Sequence, residues 1–289
     1  MAFYIDFSAF LCYGGTMNTY FENQLTYNRI TFQLSNKPDF TDREIHPYHE
    51  LLFYINGNTL FLTEQARHRL HYNTLLIIPK ETYHYFRLEN TVPFLRLKIS
   101  FYDQFLEQIP LTGLFDHLKI LEKPDDRVLF VLNRLYQVLK EHSDEMAAFY
   151  AYSAFQMLLA ELEYSDITEI SEATEVSSFL TDVLDYISLN LPGNLNIAHI
   201  SRNLGISPSS LTHRFTRELG IPLHEYITQR RLLLARKLIH EGNKSTAIYP
   251  DCGFRDYSSF YKAYLKYFGY SPSCEKCQNK SSQTLNPKK

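Results

Sequence analysis

The chain has 289 residues, 45% of them hydrophobic, with a formal net charge of −3, which suggests two domains of ordinary globular composition. No apolar run approaches the roughly 20 residues a membrane helix needs. The first residues lack the basic and apolar regions of a secretory leader, and four scattered cysteines (Cys12, Cys252, Cys274, Cys277) form no disulfide framework, so a cytoplasmic protein without a membrane partner is expected.

The net charge hides an asymmetry. Residues 1–177 hold 14 basic and 24 acidic side chains, a balance of −10; residues 178–289 hold 15 and 8, a balance of +7. An acidic first part and a basic second part fit a module joined to a polyanion-binding one.

From about residue 20 to 101 the chain reads as strands. The runs Leu51–Ile55 and Leu75–Ile78 are bounded by Asn56-Gly57-Asn58 and Pro79, and Arg96–Phe101 alternates with period two. Several short strands in this span suggest a small sandwich or barrel. Val128, Leu132, Leu135 and Leu139 then share one helical face, and Phe155, Leu159 and Leu162 another. Both faces suit either a cap on the strands or a dimer seam. Residues 165–177 are polar and acidic and read as a linker.

The C-terminal part carries the clearest local signals. Asn196 is placed to cap a helix, Gly205 to supply a turn with positive φ, and Ser207-Pro208 to start the next helix. A long helix runs from Pro222 to Glu241. Gly253-Phe254 marks a second turn, with Asp256 capping the last helix before Gly269 and Ser271-Pro272 stop it. Ile248-Tyr249-Pro250 predicts a short or kinked helix before that second turn. Cys274 and Cys277 make a poor zinc site alone, and Cys252 reads as an apolar filler.

The run Gly220-Ile221-Pro222, Tyr226, Arg231-Leu232, Ala235, Leu238, Gly253-Phe254, Ser258, Phe260, Phe268-Gly269 and Ser271-Pro272 resembles the DNA-binding domain of AraC/XylS-family transcription regulators. The resemblance implies two helix-turn-helix units that bind double-stranded DNA. Its recognition positions are Ser209, Ser210, Thr212 and His213 in the first unit and Tyr257, Ser258, Tyr261 and Lys262 in the second, with Arg214, Arg217 and Lys266 as phosphate contacts.

His46-Pro47-Tyr48-His49-Glu50 is similar to the first cupin motif. Asn73, Pro79 and His84 follow the second, with Asn73 and Glu81 in place of its usual glycines. This likeness implies a sensor whose effector, a sugar or related metabolite, meets Glu44, His46, Tyr48, Glu50, Tyr54 and His84. His49 falls out of register and is expected to face outward. Cupin enzymes hold a metal at the place of Glu44, His46, Glu50 and His84; no metal, cofactor or enzymatic activity is assigned to this chain.

The expected fold is therefore α+β in two domains: an N-terminal cupin-like β-barrel with a helical pair, and an all-α C-terminal domain with two helix-turn-helix units. The boundaries are 1–164 for the effector-binding and dimerisation domain, 165–177 for the linker, 178–276 for the DNA-binding domain and 277–289 for a disordered tail. A homodimer and RNA polymerase complete the expected partners. Two alternatives stand beside this reading: a cupin-type metalloenzyme fused to a DNA-binding domain, and a regulator whose barrel serves only to dimerise.

Overall fold

The computed structural model describes residues 21–37, 45–56, 59–88, 95–111, 113–165 and 174–275. The chain divides into two compact units, Met1–Glu175 and Val176–Lys289. The expected tail, 277–289, lies outside the described residues.

The first unit is sheet-rich. Its described strands are β1 (Glu22–Tyr27), β2 (Ile30–Ser35), β3 (His49–Asn56), β4 (Thr59–Thr63), β5 (Ala66–Leu70), β6 (Thr74–Ile78), β7 (His84–Leu88), β8 (Leu95–Phe101), β9 (Lys119–Leu121) and β10 (Thr174–Glu175). They form a six-stranded sheet in the order β1-β2-β8-β3-β6-β9 and a four-stranded sheet in the order β10-β5-β4-β7. No ladder joins the two sheets among the described residues. The β1–β2 hairpin turns at Asn28-Arg29, both with positive φ (46° and 66°), the mirror-image turn whose twist matches that of the strands.

β3 explains why the middle of this unit reads as unbroken apolar runs. Leu51, Phe53 and Ile55 enter the larger core, while Leu52 and Tyr54 enter a smaller one with Phe61 and Phe86 of the four-stranded sheet. A strand covered on both faces needs apolar side chains on both. β6 follows the same rule, with Leu75 and Ile77 on one side and Leu76 and Ile78 on the other.

Three helices complete the described part of the unit: α1 (Asp103–Leu106), α2 (Asp126–Glu141) and α3 (Glu145–Glu163). Asp125 accepts from the Arg127 and Val128 amides and Asp144 from the Ala147 amide, so side-chain caps start the two longer ones. Val128, Leu132, Leu135 and Leu139 of α2 and Phe155, Leu159 and Leu162 of α3 join the larger core with the strand residues. The faces read from sequence are thus spent on the sheet. A different stripe of α3, with Met146, Phe149, Tyr150 and Met157, is exposed. The segment expected to be a linker ends in structure: Thr174 and Glu175 pair with Arg67 and Ala66, extending the edge strand β5.

The second unit is helical: α4 (Ser178–Leu189), α5 (Ile197–Leu204), α6 (Pro208–Leu219), α7 (Leu223–His240), α8 (Ser245–Ile248) and α9 (Tyr257–Phe268). Its caps are local. Ser177, Asn196, Ser207 and Asp256 each accept a backbone amide three residues on. Gly205, Gly220 and Gly269 close α5, α6 and α9 in the left-handed region. The long α7 has 18 residues and spans about 27 Å. α8 has only four, in keeping with Pro250, which cannot donate to an i−4 carbonyl.

The C-terminal end is fastened by a buried carboxylate. Glu275 accepts from Arg236 Nε (2.8 Å), lies 2.9 Å from His240 Nε2, and receives the Tyr264 hydroxyl. Burial opposes its ionisation, yet Tyr264 and Arg236 outweigh that and hold the carboxyl below its usual range. Removing one partner of a buried charge cluster strands the others. We expect Glu275→Leu to lower the stability of the second unit by about 3 kcal/mol, measured by denaturant unfolding; an unchanged midpoint would show that the cluster is only solvated decoration.

Candidate functional site

Two helix pairs, α5–α6 and α8–α9, flank α7 in sequence, and their turns close in the same way. In the first, Gly205 (φ +65°) is followed by Ile206, whose amide donates to Ser201 O (3.0 Å). In the second, Gly253 (φ +77°) is followed by Phe254, whose amide donates to Tyr249 O (3.0 Å). Each amide thus reaches a carbonyl five residues back across a left-handed glycine. Behind the turns, Leu211 and Phe215 are buried in α6, and Phe260 and Tyr264 in α9.

The outer faces carry most of the residues singled out from sequence. On α6, Ser209, His213 and Arg217 are exposed, and Ser210 and Thr212 half-buried. The Thr212 hydroxyl lies against the Pro208 and Ser209 carbonyls (3.0 and 3.1 Å) and donates within its own helix. On α9, Ser258, Tyr261, Lys262 and Lys266 are exposed, while Tyr257 is half-buried against Tyr249 and Phe260. Arg214, expected as a phosphate contact, is half-buried, with its guanidinium 3.8 Å over the Phe179 ring and 3.8 Å from Glu218 Oε1. That side chain is engaged in fastening α6 to α4.

In the first unit, three of the expected sensor residues come together. His46 (4% exposed), Glu50 (1%) and His84 (3%) offer ligand atoms all within 4.8 Å of one another. The Nδ1 of His46 lies 2.8 Å from Tyr48 O and that of His84 3.0 Å from Thr82 O. A carbonyl can only accept, so both rings donate from Nδ1 and turn Nε2 toward the cluster. His46 Nε2 stands 3.2 Å from Glu50 Oε2, yet neither atom makes a hydrogen bond within the chain. Burial, reinforced by His46, pushes His84 down to about 4, so it is neutral near pH 7. Burial also opposes ionisation of Glu50, but Lys98 and His46 outweigh it and hold that carboxyl well below the usual range.

Such a trio has two chemical uses. It can receive the hydroxyls of a polar ligand, or hold a divalent metal: two nitrogen or oxygen ligands of a tetrahedral ion stand about 3.3 Å apart, and histidines oriented by backbone carbonyls are the usual arrangement. Tyr48 stacks on His46 with ring centroids 3.9 Å apart and an interplanar angle of 2°. Glu44 lies outside the described residues. Tyr54 belongs to the core; its hydroxyl donates to Thr59 Oγ1 (2.8 Å), and burial pushes it up to about 12.

His49 is off-register as expected but does not face water. It is 5% exposed, stacks on Phe101, and its Nε2 lies 2.8 Å from Asp103 Oδ1. The reason is that α1 and residue Phe115 cover that face of β3. Lys98 was missed. It lies opposite Leu52, and Ser100 opposite Glu50, so the polar half of the alternating strand β8 shares the face of Glu50.

Asn73 (φ 60°) and Glu81 (φ 63°) both occupy the left-handed region that glycine favours, and the Glu81 amide donates to His46 O (2.7 Å). Beside the cluster, a polar cavity of about 550 Å³ opens between Glu64, His68, Lys80, Tyr83 and His117. Its lining includes none of the five described residues expected to meet an effector. Cys252 is buried, with its thiol pushed up to about 12 by burial, as suits a filler.

Residues 32–158 match the family model of an AraC-like ligand binding domain, and residues 200–275 that of a helix-turn-helix domain. The probable transcriptional regulator LumQ of Photobacterium leiognathi is 28% identical over 150 residues, covering 52% of this chain and 59% of that protein. The transcriptional regulatory protein HptR of Staphylococcus aureus is 26% identical over 180 residues, covering 61% and 66%. The matches thus span less than two thirds of the length of these curated relatives. Among solved structures, ToxT of Vibrio cholerae matches 89% of this chain and 97% of its own at 13% identity and a TM-score of 0.38; one of its structures holds an unsaturated fatty acid. The C-terminal domain of the response regulator yesN of Fusobacterium nucleatum covers 34% of this chain at 24% identity and a TM-score of 0.33. No helix among the described residues is long and apolar enough to cross a membrane. With a ligand-binding domain model on the first unit and a helix-turn-helix model on the second, and with regulators as relatives, the chain belongs to the AraC-type transcriptional regulators.

Proposed function

We propose that this chain is a cytoplasmic regulator that reads two neighbouring segments of double-stranded DNA, one with each helix pair, under the control of a small effector. The observation that carries the reading is the equivalence of the two glycine turns, each followed by a helix whose outer face is polar and exposed. In this proposal Ser209, Ser210, Thr212 and His213 of α6 and Tyr257, Ser258, Tyr261 and Lys262 of α9 meet base edges. Arg214, Arg217 and Lys266 meet phosphates.

The functional division follows the sequence boundaries: an effector and dimerisation domain over 1–164, a connection over 165–177 and a DNA-binding domain over 178–276. The two sheets of the first domain form a cupin-like sensor. The effector is a sugar or related polar metabolite, whose hydroxyls His46, Glu50 and His84 receive. A homodimer forms through the exposed apolar stripe of α3, and RNA polymerase is the downstream partner. Effector binding shifts the population between two arrangements of the DNA-binding domains.

A second reading rests on one observation, the 3.2 Å approach of His46 Nε2 to Glu50 Oε2 beside His84 in a buried cluster. In it the trio holds a first-row divalent metal, and the effector reaches the metal rather than the side chains.

Three outcomes are expected. On a preferred duplex selected from a random library, His213→Ala costs about 1–3 kcal/mol and relaxes preference at one base pair. Arg217→Ala instead weakens all duplexes alike and lowers the salt slope by about one. Equal weakening of every sequence by both would reverse the assignment of reader and positioner.

In a thermal-shift screen of sugars, small acids and fatty acids, an effector at 100 times its Kd stabilises the chain by about 2.7 kcal/mol, and Glu50→Gln removes the shift. The absence of any shifting ligand would leave the first unit as a dimerisation element. Elemental analysis of the purified chain separates the metal reading, since it requires close to one equivalent of metal.

The third outcome concerns pH. His84 is depressed from 6.5 to about 4 on folding, so the folded chain binds fewer protons. Its contribution to stability is complete above pH 6.5 and is lost as pH falls toward 4. Unfolding of His84→Gln, followed across that window, is expected to show a shallower pH dependence than the parent; parallel curves would contradict it.

A further inference from the structure

One side chain of α7 touches both the α4–α5 turn, which leads into the first helix pair, and the turn within the second pair. Arg231 Nε donates to Leu191 O (3.2 Å) and Nη2 to Gly193 O (2.7 Å), in the turn that leads from α4 into α5. The same guanidinium lies against Gly253. A Cβ on that glycine would stand 2.6 Å from Arg231 Nε and 2.7 Å from both Cζ and Nη2. The first turn provides the control: Gly205 has a similar φ and the same closing hydrogen bond, but a Cβ there would meet nothing within 4 Å. The first glycine is demanded by backbone conformation alone. The second is demanded by conformation, and a Cβ there would also displace the guanidinium packed upon it.

We propose that Arg231 is a positioning residue that locks the α8–α9 pair at a fixed offset from the α5–α6 pair, and so sets the spacing between the two DNA segments the chain reads. This rests on the proposal that both pairs are readers. The chemistry of arginine suits the task. Its planar fork donates in fixed directions to two different carbonyls while its flat face packs against the glycine, which the point charge of a lysine cannot reproduce. The second pair also has particular need of such a lock. α8 has only four residues, so its own helix gives the turn little to lean on; Ile248 on it and Cys252 after it are buried in the core with α7. Arg231 adds a directional constraint to that apolar contact.

The test uses the full chain. A duplex preferred by the wild type is selected from a random 30-base-pair library, and one or two base pairs are inserted between its two recognised segments. Affinities are measured for the wild type, Arg231→Ala, Arg231→Lys, Gly253→Ala and Gly205→Ala, with a thermal unfolding curve for each.

The wild type is expected to lose affinity by about 10-fold on insertion, the size of a typical coupling between sites. Arg231→Ala, Arg231→Lys and Gly253→Ala bind the parent duplex more weakly but flatten the insertion penalty to less than about 3-fold. Gly205→Ala keeps the full penalty. Should Arg231→Ala fail to fold, Arg231→Lys and Gly253→Ala carry the same comparison. A wild type indifferent to insertion overturns the two-reader proposal and this one with it. A spacing-sensitive wild type whose Arg231 and Gly253 variants keep the full penalty, or weaken all duplexes equally, overturns this inference alone.

Discussion

The second unit depends on α7 being one uninterrupted helix whose buried side changes owner along its length. Near its start, Tyr226 packs edge-on against Phe215 of α6, with ring centroids 5.5 Å apart. Further on, Leu232, Ala235 and Ile239 pack with Phe260 and Tyr264 of α9 and with Ile248 and Cys252. Each short helix buries too little to hold a fixed angle unaided, since isolated helices of such length are marginal in water. Sharing one rod gives them a common frame, and the apolar surface on that rod supplies the stabilisation.

The first unit meets a different constraint. Its middle strands are covered on both faces, so a polar side chain there must find a partner or a ligand. β8 is where this shows. Leu95, Leu97, Ile99 and Phe101 enter the larger core, which leaves Lys98 and Ser100 on the face of Glu50. The cluster of His46, Glu50 and His84 is therefore built into the interior, with two rings fixed by backbone carbonyls. An arrangement that orients its acceptors before any ligand arrives lowers the ordering cost of binding.

Much of this was legible in the sequence because it is written locally. Helix starts followed Ser207-Pro208, Asn196 and Asp256, and the left-handed closures followed Gly205 and Gly253, each dictated by the residue's own chemistry. Asn73 and Glu81 show the same logic in reverse: the backbone is left-handed at both, although neither is a glycine. What escaped was tertiary. Nothing local to His49 says that α1 and Phe115 will cover it. Nothing local to Arg214 says that Phe179 will meet its guanidinium. Lys98 was hidden by the assumption that the polar half of an alternating strand faces water. The pairing of Thr174-Glu175 with β5 was hidden by a polar composition that suits a linker equally well.

The clamp at Glu275 bears on the order in which the second unit can be completed as it is made. Arg236 and His240 are synthesised on α7, and Tyr264 on α9, well before the carboxylate that joins them. Until residue 275 has emerged, Arg236, His240 and the Tyr264 phenol lack the carboxylate that joins them. Synthesis order thus places the fastening carboxylate last among the described residues of the second unit.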